Sequence, residues 1–330
     1  MNNKREIQIA QPTTGEEEWQ AVKDSIISGW LTQGPKVRQF EKSFSEKYKI
    51  KHTLAVSSCT SGLHLALAAM GVGPGDEVIV PAFTWVSSAN AVLYCGATPV
   101  FVDVSIDNFN IDINQIAKKI TDKTKAIIPV HLFGLCVDID LIKSIIPNNI
   151  KILEDAACAA GAIYKDKYAG TLGDISSFSF HPRKSITTGE GGMVATQNSY
   201  YYELMDQMRN HGATVSEEER HNGSKPYILP DFNLLGFNYR MTDLQGSIGM
   251  VQLEKLKSLI KERSKWAKWY NEKLSDIKWL KLPQEPNNGK HGWQSYVTYV
   301  EPNLSPFPRN QVMEKLKEMG ISSRPGTHAV

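Results

Sequence analysis

Apolar side chains at Trp19, Val22, Ile26 and Trp30 recur every three to four residues, the spacing of an amphipathic helix. Thr14 is placed to cap this helix, with Glu17 three residues later completing a capping box. Gly34-Pro35 interrupts the pattern, and a second stripe follows at Val37, Phe40, Phe44 and Tyr48. Both stripes read as packing faces. From Thr53 the texture changes to short apolar runs at 53–56, 77–81, 98–104, 126–130, 151–154, 175–180 and 193–197, with helical stretches such as 62–70 and 87–95 between them. Strands alternating with helices predict an α/β fold, a three-layer α/β/α arrangement around a mostly parallel sheet. Residues 244–274 read as one or two long helices rich in Lys and Glu, 293–300 as a strand and 309–319 as a helix ending at Gly320. A large domain over 1–244 and a smaller α+β domain over 245–330 are expected.

Composition narrows the function classes. The 330 residues are 41% apolar and 22% charged, ordinary for a globular chain. Lys plus Arg number 37 against 35 Asp plus Glu, a balance that suggests neither nucleic acid nor a membrane surface as partner. Cys59, Cys95, Cys136 and Cys158 stand apart, without a CxxC pair or a metal-ligand spacing. That pattern predicts free thiols in a reducing compartment and no metal. No apolar stretch resembles a signal peptide or a membrane span, so a soluble, cytoplasmic protein is expected.

Ligands of open α/β sheets bind beyond the carboxyl ends of the strands, and the polar residues of interest follow strands here. In SFSFHPRKSITTGEGG, a strand runs into a turn holding Lys184, then a threonine pair and three glycines. A lysine made neutral by burial or by neighbouring positive charge is a nucleophile. A lone lysine is more ordinarily a solvated surface group. In ILEDAACAAG a strand ends in two acids, and Asp155 has small neighbours that suit a flat ligand, although it could equally cap a helix. In VSSCTSGLHLAL a cluster of hydroxyls at Ser57, Ser58, Thr60 and Ser61 opens a helix, the arrangement that binds phosphate. Trp85 in PAFTWV is either a stacking ring or a core residue. A phosphate cradle, a stacking ring, a carboxylate and a lysine in chain order are the parts of a fold-type I pyridoxal 5'-phosphate enzyme, in which a carboxylate keeps the pyridine nitrogen protonated.

The motifs SSCTSGLHLAL, GDEVIVPAFTWVSSANAV, GATPVFVDV, KAIIPVHLFG, EDAACAAGA, GDISSFSFHPRKSITTGEGGMV and GFNYRMTDLQGSIG resemble the DegT/DnrJ/EryC1/StrS aminotransferases, from Ile7 to the end of the chain. The resemblance implies that Lys184 forms a covalent imine (Schiff base) with pyridoxal phosphate and that Asp155 pairs with the pyridine nitrogen. It implies that Trp85 stacks on the ring and that Thr60, the backbone at Ser61, and Ser179 hold the phosphate. Cys158 stands at a cofactor-proximal position where many relatives carry His or Gln, and a thiol is the weaker hydrogen-bond partner. A twofold homodimer with shared active sites is implied, in which Asn238 reaches the neighbour's phosphate and Arg240 lies close by. His181, Arg240 and His328 are expected near substrate. Lysine at 184, where related dehydratases carry histidine, favours transamination. The implied reaction moves an amino group from an amino acid, glutamate by the family pattern, to a keto sugar linked to a nucleotide. The alternatives are a keto-inositol acceptor or a non-catalytic cofactor-binding homologue. Loop 214–230, with Glu217, Arg220 and His221, is expected to touch the acceptor. Relatives usually continue beyond this chain's end, so a truncated small domain is expected, with His328 on an unsupported terminus.

Overall fold

The computed structural model describes residues 6–215, 227 and 229–330. Glu217, Arg220 and His221 lie outside them. The first helix, α1 (Glu16–Ser28), starts one residue later than the Thr14 cap implies. Gly15 is the N-cap, and its N–H donates to the Glu18 carboxylate at 2.8 Å. Glu17 instead pairs with Lys255. The stripe expected to pack is turned outward within this chain: Trp19 is 58% and Ile26 54% exposed. Polar pairing sets the rotation. Ser25 Oγ meets Ser247 Oγ at 2.6 Å, and the Glu18 carboxylate accepts from Gln252 and Lys255 at 2.8 and 2.7 Å. Glu18 and Ser25 lie seven apart, on one face of α1. α1 ends at Gly29, whose left-handed φ of 74° suits glycine. The second stripe behaves as expected. Val37, Phe40, Phe44 and Tyr48 of α2 (Pro35–Tyr48) are all buried, with Phe44 stacked on Tyr48.

The sheet then builds in chain order as β1 (His52–Val56), α3 (Cys59–Ala69), β2 (Glu77–Pro81), a short β3 (Phe83–Thr84), α4 (Ser87–Tyr94) and β4 (Thr98–Val102). It continues through α5 (Ile113–Ile116), β5 (Thr124–Ile127), α6 (Ile139–Ile145), β6 (Lys151–Asp155), the hairpin β7 (Ile163–Tyr164) and β8 (Lys167–Tyr168), β9 (Ile175–Ser179), β10 (Gly192–Thr196) and α7 (Ser199–Arg209). Seven strands pair in the order β1-β10-β9-β6-β5-β2-β4, and β10 alone runs against the rest. Side chains alternate between the two faces. Leu54, Val56, Val78, Val80 and Leu153 pack with Leu63 and Leu67 of α3 and Met205 of α7. Ala55, Phe178 and Met193 meet α2 on the opposite face, and Ile79, Ile127 and Ile152 meet α6 there.

The long helix is single: α8 (Asp243–Leu274). Its first residue fastens it to α2. The buried Asp243 carboxylate accepts the N–H groups of Gly34, Lys36 and Val37 at 2.8 to 3.0 Å, capping α2 from outside its own sequence. Beyond α8, β11 (Leu280–Lys281) pairs with β13 (Tyr299–Val300), and β12 (Gly289–Lys290) joins β7. The strand expected over 293–300 is therefore reduced to its last two residues. Trp293 takes φ 45°, and the Arg263 guanidinium draws in the carbonyls of Trp293 and Gln294. That bends the segment against Gly134, whose carbonyl accepts from Gly292 N–H at 2.7 Å. After α9 (Arg309–Glu318), the chain returns as β14 (His328–Ala329), paired antiparallel with β3. Val330 N–H adds a bond to the Ala82 carbonyl at 2.9 Å. His328 is thus held by backbone pairing, contrary to the unsupported terminus expected. Among the described residues, no helix is long and apolar enough to cross a membrane.

Asp243→Ala leaves three N–H groups at the α2 start without their acceptor. It should lower the unfolding free energy by about 2 kcal/mol, read by urea denaturation, with Asp243→Asn recovering part of the loss. An unchanged midpoint would refute this capping role.

Candidate active site

Adjacent acids at the end of β6 point to opposite faces of the sheet. Glu154 faces the loop after β8. It accepts the N–H groups of Gly170, Leu172 and Gly173 and bonds His131 Nε2 at 2.8 Å. His131 Nδ1 accepts from Val137 N–H, so the ring proton sits on Nε2 and is donated to Glu154. Burial works to raise the Glu154 carboxyl, but these donors overcome it and leave the group below its usual range. Asp155 faces α3 and is 3% exposed. Ser88 Oγ donates to one carboxylate oxygen at 2.9 Å, and Ala157 N–H to the other at 3.1 Å. Burial holds the Asp155 carboxyl above its usual range, against the pull of those donors and of Lys184.

Lys184 sits in the turn leaving β9. Its N–H bonds the His181 carbonyl, and the turn closes through Phe180, which pairs with Gly191 and Thr188. The side chain reaches back under the sheet end, bringing Nζ to 3.2 Å from Cys158 Sγ. Burial pulls this amine down, yet Cys158, Cys59 and Asp155 outweigh it and hold the amine above the ordinary lysine value. The expectation of an amine neutralised by positive neighbours is thereby corrected: its surroundings are acidic.

The hydroxyl cluster forms the first turn of α3. Ser58 is the N-cap; its Oγ accepts the Ser61 N–H, and Ser61 Oγ accepts the Ser58 N–H. The Ser61 N–H is therefore already engaged, whereas Thr60 lies half-buried in the turn whose first N–H groups have no intrahelical partner. Gly192 of β10 lets the helix start so close to the sheet, since a Cβ there would lie 2.7 Å from Cys59 N. Ser179 is buried at the end of β9, its Oγ accepting from His181 N–H.

Trp85 is 55% exposed, and its ring stands edge-on to His328 with centroids 5.2 Å apart. His181 is half-buried, and burial lowers its pKa although Glu190 opposes this. Asn238 and Arg240 sit apart from the Lys184–Asp155 cluster, on a segment laid along the end of β1. Ser57 N–H bonds the Tyr239 carbonyl, and Arg240 Nη1 donates to Asn210 Oδ1 at 2.7 Å. Asn238 is exposed.

Ser88, Cys59 and the Glu154–His131 pair escaped the sequence reading. Ser88 looks in sequence like part of a helix start, and only folding aims it at Asp155. Cys59 is buried between the Ser177 carbonyl and Asp155. The Glu154–His131 pair joins residues 23 apart. The two acids ending β6 were the available signal for the last of these. Among the described residues, no group of three or more His, Cys, Asp or Glu side chains is arranged to hold a metal ion.

A family model described as the DegT/DnrJ/EryC1/StrS aminotransferase family matches residues 12–327. The GDP-perosamine synthase of Caulobacter vibrioides is 39% identical over 99% of this chain and 86% of its own length. The spore coat polysaccharide biosynthesis protein SpsC of Bacillus subtilis is 39% identical over 93% of this chain and 79% of its own. Among solved structures, the putative sugar aminotransferase Spr1654 of Streptococcus pneumoniae in its PMP form superposes with a TM-score of 0.90 at 31% identity, covering 98% of this chain and 85% of that one. A PLP form of the same protein gives 0.89.

Ser88→Ala removes one of the two donors that steady Asp155. Cofactor affinity should fall about tenfold, measured by titrating the visible absorbance, and Ser88→Thr should restore it. Equal affinity in Ser88→Ala would remove Ser88 from the site.

Proposed function

Because the chain belongs to the DegT/DnrJ/EryC1/StrS family and is a pyridoxal-phosphate-dependent aminotransferase, we propose that it transfers an amino group from glutamate to a keto sugar carried on a nucleotide, in the making of an amino sugar. One observation carries this reading: a buried carboxylate and a half-buried lysine converge at the sheet's carboxyl end. The relatives named for perosamine and for coat polysaccharide support the sugar acceptor.

The donor set fits the cofactor. Asp155 would meet the pyridine nitrogen, its carboxylate kept in place by Ser88 and the Ala157 N–H. The first turn of α3, through Thr60 and, once its N–H leaves Ser58 Oγ, Ser61, would take the phosphate together with Ser179. Trp85 would cover one ring face. Bound there, pyridoxal phosphate supplies an electron-accepting ring that spreads the charge left when a proton leaves the amino donor's α carbon. Lys184 would be the cofactor's anchor, and its Nζ would be the group that takes that proton and later returns it. Cys158 touches the anchor amine, and His181 and His328 flank the approach for substrate. The apolar side chains left outward on α1 (Trp19, Ile26 and Ile27) support a twofold homodimer. In it the exposed Asn238, with Arg240 near, would reach the partner's phosphate.

Lys184→Ala should lose the visible absorbance and all turnover while still binding the cofactor noncovalently. Purified protein given glutamate and nucleotide-linked keto sugars should yield 2-oxoglutarate and an amine product detectable by mass. Amination of keto-inositols alone would refute the acceptor. The raised Lys184 pKa sets a pH dependence. Below that pKa the reactive neutral amine grows about tenfold per pH unit. Cofactor capture by the cofactor-free protein should therefore accelerate steadily from neutral to alkaline pH, and a rate independent of pH would contradict the ammonium state.

A further inference from the structure

We propose that Cys158 and Lys184 form an oxidant-modification site, in which peroxide drives a reversible sulfur–nitrogen cross-link that takes the lysine out of use. The motivating contact is Nζ to Sγ at 3.2 Å. Lysine's flexible four-carbon stem lets that distance close to a bond. The four cysteines are all free, and Cys158 is the one whose sulfur meets an amine. Cys59 is buried, its Sγ directed at the Ser177 carbonyl, and burial raises that thiol well above its ordinary value. Cys95 is pushed up to about 11 by burial, and Cys136 donates to the Val137 carbonyl. A thiol so raised is a poor nucleophile at neutral pH. Cys158 is half-buried, so it is not sealed off from a reagent as small as hydrogen peroxide, and a cavity of about 140 Å³ lies against its partner Lys184.

The chemistry balances in two steps. The Cys158 sulfur attacks one oxygen of hydrogen peroxide; the O–O bond breaks, an S–O bond forms, and a sulfenic acid and water result. Sulfur is oxidised by two electrons and peroxide is reduced. The neutral Lys184 amine, its extra proton given to water, then attacks that sulfur. The S–N bond forms, the S–O bond breaks, and hydroxide leaves as a second water with one amine proton. The protein has lost two hydrogens. A thiol reductant attacks the sulfur, breaks the S–N bond and returns the amine, and a second thiol frees Cys158.

The test uses the full chain, stripped of cofactor and treated with hydrogen peroxide. Intact mass should fall by about 2 Da. Peptide mapping should join the segments holding residues 158 and 184, with trypsin no longer cutting after Lys184, and dithiothreitol should reverse both changes. Absorbance on adding pyridoxal phosphate should drop at least about tenfold until reduction, while protein loaded beforehand should resist cross-linking. These absorbance and protection arms rest on Lys184 as the cofactor's anchor; the mass and mapping arms do not. Peroxide should leave the mass of Cys158→Ser unchanged and should not alter that variant's own cofactor uptake, whatever its untreated level. A disulfide between Cys158 and Cys59 gives the same mass loss but leaves Lys184 open to trypsin, and would overturn the proposal. So would a gain of two or three oxygens at Cys158 with Lys184 still reactive.

Discussion

The site depends on a single buried charge, the Asp155 carboxylate. A carboxylate removed from water is costly unless donors replace the lost solvent. Here a serine hydroxyl and one backbone N–H do so, and Lys184 supplies a compensating positive charge nearby. The arrangement is short of donors beside its neighbour Glu154, which has four. That contrast divides their work. Glu154 is saturated and holds a loop and a histidine in place. Asp155 has fewer donors, and burial holds its carboxyl above the usual range.

Strand alternation produces this division at no cost in sequence. Consecutive residues of β6 face opposite layers, so one acid braces the structure while the next enters the site. The same geometry gives Lys184 its surroundings. Its turn leaves β9, the strand beside β6, and the amine therefore meets the groups lying around the end of β6: Asp155, Cys158 and Cys59. These groups hold the amine above the ordinary lysine value against the pull of burial, and one of them, the Cys158 sulfur, lies 3.2 Å from it.

Much of this was legible in the residues. The seven apolar runs located every strand of the main sheet to within a few residues, because buried strands must be apolar and bounded by turns. What failed depended on partners distant in the chain. The outward stripe of α1 reads as a packing face until Ser247, Gln252 and Lys255 are seen to claim the polar face instead. Alternation over 293–300 resembles a strand until Arg263 bends it. At the site, residues following strands announced themselves through glycine, hydroxyl and charge. Ser88 did not, since a serine near a helix start has an ordinary explanation.

The stretch from Ala82 to Ser88 ties these pieces together. It accepts the terminal β14 through the Ala82 carbonyl and the β3 ladder, which sets His328 beside Trp85. Thr84 Oγ1 lies 3.1 Å from Ser88 Oγ, and Ser88 in turn holds Asp155. The backbone closes the link, with Ser88 N–H bonded to the Trp85 carbonyl. One turn of chain thus carries the Trp85 indole and the carboxylate's donor, and pairs with β14. β14 is paired with the same segment that supplies the Asp155 donor. The far end of the sequence is therefore tied to the site at its centre.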